Sequence, residues 1–126
     1  MKRTFIPLAV FALAALALAV PAVQAKGGPG TRIALKSSSA FPGASGKAKF
    51  QNQGQRELEI EVEHVRRLAG KRVNFFVNST KVGSARISGL GAAQIERRGS
   101  AFPTVHAGTR IKVKTTAGKT IVAGRF

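Results

Sequence analysis

The chain contains no cysteine, tryptophan, tyrosine or aspartate in 126 residues, and its only acidic side chains are five glutamates. Without cysteine there is no disulfide, thiol nucleophile, thiolate zinc site or lipidated N-terminal cysteine. Without aspartate, and with only two histidines, most hydrolytic and metal-binding constellations lose their usual members. Long apolar runs are confined to the N-terminus, where 19 of the first 25 residues are apolar.

That N-terminal segment has the layout of a secretory signal peptide. Lys2 and Arg3 form a basic start, an Ala/Leu-rich stretch follows from Phe5 to Val20, and Val23-Gln24-Ala25 is a small-residue ending of the kind signal peptidase cuts after. The competing reading is an uncleaved anchor, since the apolar stretch approaches the roughly 20 residues a spanning helix needs. Pro7, Pro21 and the small-residue ending weigh against it. The expected organisation is a signal peptide over residues 1–25, a Gly-rich flexible leader over residues 26–30 and one domain over residues 31–126. The mature chain is expected to be exported, to a periplasm or the extracellular space, without an integral membrane span. An exported domain lacking cysteine is held by packing and hydrogen bonds alone.

Removing Lys2 and Arg3 leaves nineteen Lys and Arg against five Glu, a formal charge of about +14. Four of the acids sit at Glu57, Glu59, Glu61 and Glu63, and Glu96 is the fifth. Such a domain is attracted to anionic material, less so as salt is added.

The mature chain alternates with a period of two, the signature of half-buried strands. The clearest run is 57–63, Glu-Leu-Glu-Ile-Glu-Val-Glu. A helix would scatter those glutamates, whereas a strand sends them all to one face. Pairing it antiparallel to residues 46–51 across Gln53-Gly54-Gln55 sets Ala48 opposite Ile60 and Phe50 opposite Leu58 on the buried side. Lys47 then faces Glu61, and Lys49 faces Glu59, on the wet side, so the acidic row reads as a solvated strand face. Further strands are predicted over 32–36, 72–78, 81–88 with Ala85 and Ile87 inward, 92–97 with Ala93 and Ile95 inward, 109–115 and 120–126. A longer link runs from Gly99 to Gly108. The fold class is all-β, a single antiparallel β-sandwich, immunoglobulin-like or a small barrel, of seven or eight strands, with meander and Greek-key orders both open. A faint repeat matches Ala69-Gly70-Lys71-Arg72-Val73-Asn74-Phe75 to Ala107-Gly108-Thr109-Arg110-Ile111-Lys112-Val113, which implies two hairpins of one design.

Chemical motifs are sparse. A Ser-His-acid set would have to recruit Glu63 or Glu96 without a Gly-x-Ser-x-Gly elbow. His64, Glu63 and His106 would make a poor metal site because adjacent strand residues face opposite ways. Gly89-Leu90-Gly91 precedes a strand and therefore reads as a turn. Asn78-Ser79-Thr80 is a glycosylation acceptor pattern and equally a hairpin tip. No cofactor is implied, and the expectation is a non-enzymatic domain. The candidate polyanion-binding residues are the basic clusters Arg66, Arg67, Lys71, Arg72 and Arg97, Arg98, which strand reversal places at opposite ends of the domain. Only Phe76 is a candidate exposed ring among these cations, which together with export weighs against a nucleic-acid partner. The partner classes implied are anionic polysaccharide, a lipid surface or an envelope protein. For the last of these, the strand at 120–126 would serve as a pairing edge.

The stretch from Leu35 to Phe50, with Phe41-Pro42-Gly43 and Gly46-Lys47-Ala48-Lys49-Phe50, followed by an alternating strand to Val65, resembles the opening of CHRD-type secreted domains. It departs from them at Asn74-Phe75-Phe76-Val77-Asn78, where those domains have a His-Ile-His-Gly stretch, so the resemblance implies no ligand or site. The whole mature chain, ending Val122-Ala123-Gly124-Arg125-Phe126, also resembles small exported bacterial all-β proteins of unassigned activity, which implies architecture and location.

Overall fold

A computed structural model describes residues 30–126. The segment read as a signal peptide, and all but the last residue of the leader, lie outside the described residues. The described residues form eight strands: β1 (Gly30–Ser37), β2 (Ser45–Gln51), β3 (Glu57–Glu63), β4 (Arg72–Val77), β5 (Thr80–Arg86), β6 (Ala93–Arg98), β7 (Arg110–Thr115) and β8 (Thr120–Arg125). One 3-10 turn, Arg66–Leu68, interrupts the β3 to β4 connection.

All eight strands belong to one antiparallel sheet in the order β5-β4-β7-β8-β1-β2-β3-β6, and its two end strands approach each other so that the sheet nearly closes into a barrel. The two-sheet immunoglobulin-like sandwich is therefore replaced by the small barrel. The cause is β1, which pairs with β2 from Gly30 to Lys36 and also with β8 at Lys36 and Ser37. It fuses the two groups of strands that a sandwich would keep apart. The strand expected at 120–126 as a free edge is interior, with β7 on one side and β1 on the other. The edges are β5 and β6.

The order is a Greek key. β4, β5 and β6 run back and forth, and β3 lies beside β6, so the β3 to β4 connection crosses one end of the barrel and the β6 to β7 link crosses the other. Backbone bonds tie the first crossing to the β5–β6 loop: the Val65 N–H donates to the Gly91 carbonyl at 3.1 Å, and the Gly70 N–H to that of Ile87 at 2.7 Å. Gly91 has φ +84°, and a side chain there would stand 2.7 Å from the Arg66 nitrogen. Only glycine fits under the crossing chain.

The second crossing is plugged with apolar side chains. Phe102 and Val105 turn into the barrel mouth, and Phe50 meets Phe102 and Phe126 edge-on at centroid distances of 6.2 and 6.5 Å. Arg56 pins the link by donating to the carbonyls of Gly99 (2.8 Å), Phe102 (3.2 Å) and Pro103 (2.8 Å), with its guanidinium 4.2 Å from the Phe102 ring centroid.

The β2–β3 hairpin has the register that the alternation dictates: Ala48 opposite Ile60, Phe50 opposite Leu58, Lys47 opposite Glu61 and Lys49 opposite Glu59. Leu58, Ile60 and Val62 are fully buried, as are Val73, Phe75 and Val77 of β4 and Ile111 and Val113 of β7. Strict alternation fails at two places. A bulge on β5 between the partners of Phe75 and Phe76 turns Val82 inward as well as Ala85 and Ile87, and a bulge on β8 buries both Ile121 and Val122.

The two bulges fall at matching places in the repeat. β4 and β7 pair antiparallel with each other, and each carries its return strand on its outer side, giving β5-β4-β7-β8. The repeat is thus two bulged hairpins joined through their first strands.

Candidate anion-binding surface

The structure divides the charge by half-barrel. Every glutamate of the chain lies on β3 or β6, where four of the five meet a cation or an amide donor. Lys47 Nζ is 3.7 Å from Glu61, and Arg98 reaches Glu57 at 3.3 Å and Glu96 at 3.7 Å. Gln94 donates to Glu59 at 2.9 Å, and Gln51 to Glu57 at 3.1 Å. The hydrogen bond that Glu57 shares with Glu96, with burial adding to it, holds the Glu57 carboxyl above the ordinary glutamate range, and the same bond, together with Arg98, holds the Glu96 carboxyl below that range against the opposing effect of burial. A hydrogen bond to Glu63, with burial, likewise raises Glu61. The acidic row is consumed within its own face.

The opposite half has no carboxylate side chain to answer its cations. Alternation sends Arg72, Asn74 and Phe76 of β4 outward, beside Arg110, Lys112 and Lys114 of β7. Lys81, Ser84 and Arg86 of β5 flank them on one side, and Thr120, Ala123 and Arg125 of β8 on the other. Arg72 stands directly opposite Arg86, and Arg110 directly opposite Arg125. Like charges opposed across a ladder are unfavourable, and the repeat has made this pairing twice, once at each end of the face. Lys114 Nζ lies 5.0 Å from the centroid of the half-buried Phe76 ring midway between them. The run from Arg72 down β4 to the level of Arg110 covers about 20 Å at strand rise.

Near its Arg72 end the face dips into an open depression of about 340 Å³ lined by Leu68, Gly70, Lys71, Arg72, Arg86, Thr115 and Thr116. Neutral oxygens orient both guanidiniums: Arg86 Nη1 donates to the Gly70 carbonyl at 2.7 Å, and Arg72 Nη1 to Ser84 Oγ at 3.3 Å. Gly70, at φ +83°, makes the turn that brings Lys71 alongside.

Among the residues singled out by sequence, Arg66, Arg67, Lys71 and Arg72 share the barrel end crossed by the β3 to β4 connection, while Arg97 and Arg98 lie toward the other end. Lys71 and Arg72 line the depression, and Arg66 is exposed beside it in sequence. Arg67 is engaged: it donates to the Ala40 carbonyl and its guanidinium lies 4.5 Å from the Phe41 ring centroid. Arg98 is occupied by Glu57 and Glu96. Arg97 spans the barrel seam, donating from Nε to the Val82 carbonyl of β5 at 2.7 Å, with its guanidinium against Gly83. The sequence reading did not single out Arg86, Arg110, Lys112, Lys114 and Arg125. The alternation of Arg110, Lys112 and Lys114 is visible in the chain, but their neighbourhood depends on β4 pairing with β7.

His64 and His106 sit at opposite ends of the barrel, after β3 and within the β6 to β7 link, so they cannot share a ligand. Among the described residues, no three His or Glu side chains converge as a metal site. Ser45 Oγ and His64 Nδ1 are 2.9 Å apart, with His64 in the left-handed region at φ +61°. The other nitrogen of His64 has no carboxylate partner among the described residues. Asn78, φ +55°, occupies the hairpin turn and accepts a hydrogen bond from the Arg110 N–H at 3.0 Å. Compared with known proteins, the chain matches no family model, no curated sequence and no solved structure.

Proposed function

We propose that the protein is a non-enzymatic, exported binding module that associates electrostatically with anionic envelope or extracellular material, an acidic polysaccharide or a lipid surface, through the cationic half of its barrel. The carrying observation is the segregation of charge: all five glutamates are on β3 and β6, three of them in ion pairs, while Arg72 faces Arg86 and Arg110 faces Arg125 on a surface that holds no carboxylate side chain. A face that repels itself gains most from an external anion, and the gain reaches solvent-borne polymers over about a Debye length.

The test is binding of the mature domain to an acidic polysaccharide and to anionic vesicles across a salt series. Affinity is expected to fall steeply between low and moderate salt. It should fall further when Lys112 and Lys114 are both changed to Glu, whereas the same double reversal at Lys47 and Lys49, on the other half, has a smaller effect. Salt-independent binding, or equal effects of the two charge reversals, would refute the reading.

A further inference from the structure

We propose that the depression at the Arg72 end of the face is a discrete subsite for a phosphomonoester, an inference that rests on the anion-binding reading and specifies the group the surface recognises.

The lining carries the argument. Three cations, Lys71, Arg72 and Arg86, surround a space of about 340 Å³ whose lining Thr115 and Thr116 complete. No glutamate lines it. The Thr115 hydroxyl oxygen already accepts the Lys119 N–H at 3.0 Å, so its own hydrogen remains available to donate. Each arginine spends one N–H on a neutral oxygen and keeps the rest of its donor fork. The fixed forks are preorganised, so little side-chain freedom is lost on binding.

The charge count selects the ligand. A carboxylate carries one negative charge and is satisfied by a single bidentate arginine. It would leave two cations of the depression opposed to each other. A phosphomonoester carries about −1.5 to −2 at neutral pH and offers three strong acceptor oxygens. It answers the Arg72 and Arg86 opposition directly, with Lys71 and the threonine hydroxyls completing the shell. Leu68, half-buried at the rim, gives an apolar surface for the carbon skeleton that bears the phosphate.

The experiment is amide NMR of the labelled mature domain at constant ionic strength, titrated with inorganic phosphate, glucose 6-phosphate and glucuronate, and with vesicles containing phosphatidic acid. Saturable shifts at Gly70, Lys71, Arg86, Thr115 and Thr116 are expected with the phosphates, with glucuronate weaker by about tenfold. Stronger binding of glucose 6-phosphate would identify a saccharide source, and stronger binding of the vesicles a lipid source. Either supports the subsite. Arg86→Ala is expected to weaken phosphate binding by about tenfold. Because Arg86 also holds the Gly70 carbonyl, Arg72→Ala serves as the second variant, and Lys49→Ala, on the glutamate-bearing half, should leave phosphate affinity within about twofold. Absence of saturation, equal affinity for phosphate and glucuronate, or unchanged binding in both arginine variants would overturn the proposal. If polyanion binding persists in those cases, only the subsite fails; if it is lost in the parent domain as well, the broader reading fails with it.

Discussion

Arg97 and Gly83 together close the seam between β5 and β6, and they should behave as one unit. Arg97 Nε donates to the Val82 carbonyl at 2.7 Å, and a methyl group built on Gly83 would land on the Arg97 guanidinium and stand 3.2 Å from Ile95 Cδ1. A hydrogen bond to a charged donor contributes about 1.5–3 kcal/mol, and its loss leaves the Val82 carbonyl unpaired in a half-buried position. Arg97→Ala is therefore expected to cost about 2 kcal/mol, which for a domain of this size lowers the melting temperature by about 8–16 °C. Gly83→Ala should cost a similar amount, since it expels the same guanidinium from the same place. In the double variant the guanidinium is gone and only the 3.2 Å approach to the flexible end of Ile95 remains. The second substitution should then be nearly free, or stabilising by a few tenths of a kcal/mol because a strand glycine has been replaced. Denaturant unfolding of the four proteins gives the coupling energy directly. A total near 4 kcal/mol, the two single costs simply added, would show that Arg97 does not occupy the space Gly83 provides.

Three further outcomes follow from named contacts. Arg56→Ala removes three carbonyl partners and the stacking on Phe102, so it should cost about 3 kcal/mol and make the 99–109 link the first site of limited proteolysis. Gly91→Ala would press a Cβ against the backbone nitrogens of Val65 and Arg66 at φ +84°, and chemical denaturation should register a loss of about 2–4 kcal/mol. Carboxyl NMR titration should find Glu57 and Glu61 ionising above the usual glutamate range and Glu96 below it. The raised pair contributes stability that is present in acid and lost as pH rises through the folded-state values, while Glu96 contributes in the opposite sense. Glu61→Gln, which keeps the hydrogen bond to Glu63 without the repulsion, should therefore raise the melting temperature at neutral pH, and the gain should vanish in acid.

The parts of the fold legible in the chain are those decided locally. The β2–β3 register follows from a short hairpin in which any one-residue slip would move Leu58, Ile60 and Val62 to the solvent side. Val82 and the Ile121-Val122 pair escaped the period-two reading because a bulge inserts one residue and changes the parity of everything beyond it. The choice between sandwich and small barrel, which the sequence leaves open, is decided by β1, which pairs with β2 along its length and with β8 at its end, a non-local pairing that residue type does not announce. The candidate surface divides in the same way. Lys71 and Arg72 are neighbours in sequence and remain together, and Arg86 joins them through the β4–β5 hairpin, whereas Arg110, Lys114 and Arg125 join them only through the β4–β7 pairing that connects the two repeats. Arg97 and Arg98 look alike in the chain, yet alternation sends one into the seam and the other to the glutamates.

The lopsided placement of acid and base makes the molecule a permanent electric dipole. Near a negatively charged plane it experiences a torque as well as a pull, and it turns its lysine- and arginine-bearing flank inward before contact. Copies arriving at such a plane would settle in a common orientation, each showing the glutamate strand to the surrounding water.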